Sequence, residues 1–304
     1  MPRTFYGPFN TQYDTHAAPV HANDGQYELG TILITPDHRE YRYALNDGTA
    51  EVAGNLYQSV ASVANHLNVA ADVARAVNAV AVSATLGATA AAIDIYTSGI
   101  VHINDVDGEG YAYRIKRART AGAAHAAAGS SAVLTVNLAA GEKVQVALTT
   151  SSEMSFTRNR YHAVLIHGSP PTGGIAGVSP GVAAANRFYY SQVKGYASVL
   201  ASGTLLEGLP VMAGISTDGS VESYKRRVRT GGTTVAATGA AQAFARLVDQ
   251  DGTTTDYFIG VTSALATGTV DITGPIAVNA PIIGECVKPN ASTEYALVDL
   301  KIPA

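Results

Sequence analysis

The sequence predicts an all-β protein, a sandwich or jelly roll, with one short helical segment near 57–77 and a second β region in the C-terminal half. Three observations carry this expectation. Short runs rich in Val, Ile, Thr and Tyr recur along the chain, separated by Gly, Ser, Asp and Pro, which is the rhythm of antiparallel strands and not of βαβ units. Only one window has helical periodicity. Charged residues make up 14% of the 304 residues, well under the roughly 25% of an ordinary soluble domain. Much of the apolar share is alanine, with no Trp and six Phe. Such a composition suits sheets, tight turns and large intersubunit contacts better than a polar catalytic cleft.

Residues 1–24 read as an extended N-terminal arm. Phe5, Tyr6, Phe9 and Tyr13 alternate with Pro2, Gly7, Pro8 and Pro19; Pro and Gly discourage regular structure, yet four aromatic rings are costly to leave in water. The arm either packs on its own domain or clasps a neighbouring subunit. A β domain is expected over 25–167. "YELGTILIT" and "EYRYAL" are strand-like runs joined by "PDHR". "NLYQ" leads into the helical window, where Val60, Val63, Leu67, Ala70, Ala74 and Val77 recur at steps of three and four. Asn65, Asn68 and Asn78 weaken it, because Asn competes with the helix for its own backbone. Strand signals return at "VNAVAVSATL", "GIVHIN", "YAYRIK", "AVLTVNL", "KVQVALTT" and "YHAVLIH".

Residues 168–181 hold five glycines and three prolines and are expected to be a linker. A second β region or domain would then fill 182–304. "RFYYSQVKGYASVL" is a long strand run with a candidate bulge at Gly195. "PVMAGIS" and "SVESYKRRVRT" flank the turn "TDG", and "PIIGECV" and "EYALVDLKI" close the chain around "KPNAST". No short repeat of fixed period is present.

The bulk properties narrow the class. A net charge of −4 and a pI near 6.0 argue against a nucleic-acid binder. One cysteine, Cys286, cannot form an internal disulfide framework, so assembly in a reducing cytoplasm is expected. The first residues lack a signal-peptide pattern, and no apolar run is long enough for a membrane helix.

The chemistry-bearing motifs each fail on a specific residue. "NDVDGEGYAYRIKR", residues 104–117, begins like a calcium loop. With Asp105 as position 1, however, position 12 is Lys116, where a bidentate Glu is needed. Gly108 and Gly110 instead read as a hairpin turn. "YAYRIK" follows as a strand, with Tyr111, Tyr113 and Ile115 on one face and Arg114 and Lys116 on the other. Gly177-Val178-Ser179-Pro180-Gly181 matches G-x-S-x-G, but Pro180 has no N–H for an oxyanion hole. Ser191-Gln192-Val193-Lys194 matches S-x-x-K, but on a strand those side chains point to opposite faces. The eight histidines do not cluster in sequence, and no Cys pair or H-E-x-x-H accompanies them, so no metal and no cofactor is expected. No catalytic set is expected either.

Basic residues do cluster: Arg114, Lys116, Arg117 and Arg119, then Arg158 and Arg160, then Lys225, Arg226, Arg227 and Arg229. These are ten of the twenty Lys and Arg residues. They read either as solvated strand faces that deter edge pairing or as surfaces docking onto an acidic protein partner. Stacking aromatics are too sparse beside them for a nucleic-acid platform.

Several stretches together resemble structural proteins of tailed bacteriophages: "GTILITPDHREYRYALNDG", "VSATLGATAAAIDIYTSGIVHINDVDGEGYAYRIK", "NRFYYSQVKGYASVLASGTLLEGLPVMAGISTDGSV" and the closing "IIGECV" and "EYALVDLKI". The closing pair is similar to the end hairpin of many capsid decoration (cement) proteins. The resemblance implies a non-enzymatic virion component on the exterior of an icosahedral capsid, made in the host cytoplasm. It implies the major capsid protein and further copies of the chain, commonly a trimer, as partners, without direct contact to nucleic acid or membrane. The arm and the three basic groups are then the expected assembly contacts. At 304 residues the chain is large for a minimal cement protein, which leaves room for a second domain. A tail, neck or fibre component is the alternative within virion proteins. A host-surface carbohydrate-binding module is the alternative outside them, although the lack of Trp argues against its aromatic platforms.

Overall fold

The computed structural model describes residues 27–169, 171–224 and 281–303, and the backbone alone of residues 4–6, 235–236, 243–248, 254–259 and 269–270. The chain forms two units, Met1–Ser223 with Pro281–Ala304, and Tyr224–Ala280. The described elements are strands, apart from one 3-10 turn at Ala64–His66. The fold is all-β, as the sequence predicts.

The largest sheet of the first unit has eleven strands. Its main path runs Thr4–Tyr6, Ile32–Ile34, Glu40–Leu45, Phe188–Leu200, Tyr295–Lys301, Ile282–Lys288, Pro210–Ala213 and Val221–Ser223. Thr4–Tyr6 pairs in parallel with Ile32–Ile34, so this part of the arm extends its own sheet. The 13-residue strand Phe188–Leu200 is the spine. Its first six residues are all buried, whereas its second half alternates. A continuous buried run marks a strand covered on both faces, and alternation marks one with a solvent face. The change falls where the register slips between Gln192 and Lys194, beside Gly195 at φ 81°. At this point the strand leaves Glu40–Leu45 and takes up Tyr295–Lys301. One core lies under the buried half, with the rings of Tyr43 and Phe188 stacked at 5.2 Å and 2°.

A second core in the same unit gathers Val82, Ile103, Tyr113, Ile115, Leu134, Met154 and Phe156. It is enclosed by the sheet Val69–Ala70, Glu153–Thr157, Ile100–Asp105 and Ala112–Arg114, and by the pair Ala81–Thr85 and Val133–Asn137.

Four expectations are corrected. The helix near 57–77 is absent: Leu56–Gln58 and Val69–Ala70 are strands, and Ala71 and Arg75 bridge Ala84 and Leu148. Asn68 and Asn78 take positive φ of 51° and 70°, which breaks a helix where Asn tolerates the left-handed region. "GSPPTGGIAGVSPG" is no linker between units. Its Ile175–Val178 is a fully buried strand paired with Leu56–Gln58 and, through Val178, with Gln192. Nor are 182–223 and 281–304 a separate β domain, since their strands share the sheet with Glu40–Leu45. "KVQVALTT" forms no strand: it makes an isolated bridge at Leu148 and backbone hydrogen bonds that join Val144 to Asn78 and Ala79. The strand between Val69–Ala70 and Ile100–Asp105 is Glu153–Thr157, which is too short and polar to stand out in the sequence.

In the second unit, Ala243–Val248 pairs antiparallel with Thr254–Ile259, and Val235–Ala236 with Thr269–Val270. Among the described residues no helix is long and apolar enough to cross a membrane.

Candidate functional site

The hairpin spanning 100–114 forms where the glycines place it. Ile100–Asp105 pairs with Ala112–Arg114, and Gly108 and Gly110 hold φ of 83° and 82° in the turn. Tyr113 and Ile115 are buried and Lys116 is exposed, although Tyr111 is exposed too. The loop acids serve the fold: Asp105 caps the N–H of Val106 at 2.8 Å, and Asp107 accepts from the Thr149 hydroxyl at 2.8 Å.

The expected assembly residues meet different fates. Arg114 pairs with Glu28. Arg158 sits beside Tyr96 and His162 with its Nε enclosed, and burial pulls its pKa down. Arg160 donates to the carbonyl of Pro303 at 2.8 Å. Lys116 and Arg119 are exposed, and Arg117 is half-buried. Phe5 and Tyr6 lie on the strand Thr4–Tyr6. Phe9, Tyr13, Lys225, Arg226, Arg227 and Arg229 lie outside the described residues.

A different surface stands out. Residues 59–104 contain three Asp, Glu, Lys or Arg residues: Asp72, Arg75 and Asp94. Asp94 is buried, and Arg75 donates to the Ser83 hydroxyl at 2.9 Å. The same stretch exposes Leu67, Val73, Val77, Val80, Ile93 and Ile100. Val77 lies across from Val146, also exposed, in the register set by the Arg75–Leu148 bridge. The stripe that reads as a helix's inner face is therefore largely solvent-facing: Leu67, Ala70, Ala74 and Val77 are exposed, and Val60 and Val63 are half-buried.

Across the large sheet, a trough of about 500 Å³ runs past Arg39, Gly54, Ser179, Val182, Tyr196 and Tyr295. It shares Arg39 and Tyr196 with a second hollow of about 550 Å³ that reaches Asp37, Lys194 and Asp299. Tyr196 and Tyr295 both point outward from the alternating halves of their strands. Val52 and Val182 are exposed at its margin. Ser179 and Lys194 belong to the two rejected motif matches, and Arg39, Tyr196 and Tyr295 belong to no motif. Only the outward position of the two tyrosines in period-two runs could have signalled them.

Buried polar groups gather at two further places. Glu51, 1% exposed, lies among Tyr189, Ser179 and Tyr57. Burial pushes its pKa from 4.5 up to about 8. The second cluster surrounds Tyr96. Its hydroxyl meets His66 Nδ1, and its N–H donates to His125 Nε2 at 3.1 Å. Asp94 accepts the N–H groups of Gly122, Ala124 and His125. Burial lowers the pKa of His125, and it lowers that of His162, which faces Arg158, to about 4. Histidines scattered in the sequence thus do converge, but around a tyrosine in the core. Among the described residues no group of His, Cys, Asp or Glu is placed to hold a metal ion.

The fold and these surfaces define an all-β protein with a charge-poor exterior stretch and an aromatic trough. Compared with known proteins, the chain matches no family model, no curated protein and no solved structure.

Proposed function

We propose that the protein is a non-enzymatic structural component that binds the outer surface of an icosahedral phage capsid and stabilises it. The observation that most supports this reading is the charge-poor stretch 59–104, which exposes Val73, Val77, Val80 and Ile93 with few ionised side chains among them. Interface cores are depleted in charge, and here Val77 faces a second exposed valine, Val146, across the Arg75–Leu148 bridge. The phage setting comes from the sequence resemblance. Attachment would be multivalent: each copy touches capsid protein and neighbouring copies of itself, so modest contacts sum to firm binding.

The test is the protein's position and copy number in imaged particles, with Val77→Asp/Val80→Asp as the variant. Hundreds of copies on the shell, lost in the variant, support the reading. Six or twelve copies at a vertex or tail point to a neck, tail or fibre component and sink it. Deleting residues 1–24 separately tests the arm, because unchanged retention removes it from the interface.

A further inference from the structure

We propose that the trough along Arg39, Tyr196 and Tyr295 binds a neutral oligosaccharide. This is a second activity, on residues separate from the charge-poor stretch. Three features lead to it.

The first is size. The two hollows measure about 500 and 550 Å³ and share Arg39 and Tyr196, which falls within the roughly 300–1,000 Å³ usual for small-ligand sites.

The second is the aromatic surface. Tyr196 and Tyr295 are 58% and 43% exposed, a large apolar area for a water-facing wall. Both sit on paired strands, and the Tyr295 ring lies against the backbone of Gly54, so little freedom is lost when a ligand stacks on them. Tyr295 stands opposite Leu200, four residues along the strand from Tyr196, which separates the two positions by about 13 Å at ~3.3 Å per residue. That span fits a short chain of sugar rings and exceeds a single one. These tyrosines supply the platforms that the absence of Trp seemed to deny.

The third feature is the pairing of charge. Asp37 holds Arg39 at 2.7 Å, Glu40 holds Lys194 at 2.8 Å, and Asp299 lies 3.7 Å from Lys301. A charged ligand would have to compete with these ion pairs. A wholly apolar one would leave polar groups covered and unpaired, which is costly. A ligand with apolar C–H faces and neutral hydroxyls satisfies both the rings and the paired charges.

The experiment uses the full chain with maltotriose, cellotriose and triacetylchitotriose, followed by saturation-transfer NMR and calorimetry. At least one should bind with a Kd on the order of 1 mM or tighter. Tyr196→Ala and Tyr295→Ala should each weaken it by roughly tenfold or more. Tyr111→Ala, an exposed tyrosine on the 100–114 hairpin, should bind as wild type does. Matching thermal midpoints for Tyr196→Ala and wild type confirm that the fold is intact. Failure of all three sugars to bind overturns the proposal. So does binding that survives both trough variants, or preference for a sulfated disaccharide over the neutral sugars. Capsid attachment is read on the valine variants, so either proposal can fail alone.

Discussion

The ring of Tyr295 lies so close to Gly54 that a Cβ at position 54 would stand 2.5 Å from its Cε1. Gly54 also holds φ at 77°, a conformation that costs an L side chain energy. The pair links the loop after Glu51 to the last strand and sets one wall of the trough. Gly54→Ala should therefore destabilise the first unit by about 1–3 kcal/mol. Thermal melts check this, and an unchanged midpoint would mean that the ring and the loop adjust freely.

Glu51 predicts the alkaline behaviour. Its folded pKa of about 8 lies above the ordinary 4.5, so between those values the folded chain holds a proton that the unfolded chain releases. Its contribution to stability is thus fullest below pH 4.5 and declines as pH rises to about 8. The slope is on the order of 1 kcal/mol per pH unit. Glu51→Gln cannot ionise and should flatten this decline. Urea midpoints from acid to alkaline pH measure it, and identical slopes in variant and wild type would refute it.

Two buried histidines, His125 and His162, predict the acid behaviour. Folded His162 has a pKa of about 4 against the ordinary 6.5, and that of His125 is lowered as well. The unfolded chain therefore takes up protons first, and stability is lost as pH falls from 6.5 towards 4. Arg158 beside His162 makes an added positive charge still less welcome. His162→Gln should shift the acid midpoint to lower pH, with NMR titration of the remaining histidines as the direct check.

Phe156 is 1% exposed and packs on Tyr96 at 5.5 Å between ring centres. Phe156→Ala should cost about 3–5 kcal/mol through lost burial and a residual cavity. By contrast, Val80→Asp changes a residue that is 61% exposed and should leave stability within about 0.5 kcal/mol. Chemical denaturation of both separates a core position from a surface one. A large loss for Val80→Asp would place that valine inside the fold's own packing.

The sequence by itself determined the all-β class and several hairpins, because strand alternation and turn chemistry are local. The pairs Ile32–Ile34 with Glu40–Leu45, Ile100–Asp105 with Ala112–Arg114, and Ile282–Lys288 with Tyr295–Lys301 follow from period-two runs around Gly, Pro, Asn and Asp. The break in the long strand beside Gly195 was legible for the same reason. Tertiary structure alone decided which apolar residues go inside. Val77 and Val80 are as apolar as Val82, yet only Val82 faces the core, because the pairing of Ala81–Thr85 with Val133–Asn137 sets its side inward. Long-range pairing also drew Ile175–Val178 out of a Gly- and Pro-rich stretch into the sheet, brought His66 and His125 against Tyr96, and set Tyr196 and Tyr295 along one trough. Each of these depends on which strands meet across many residues of intervening chain, and local pattern does not encode that choice.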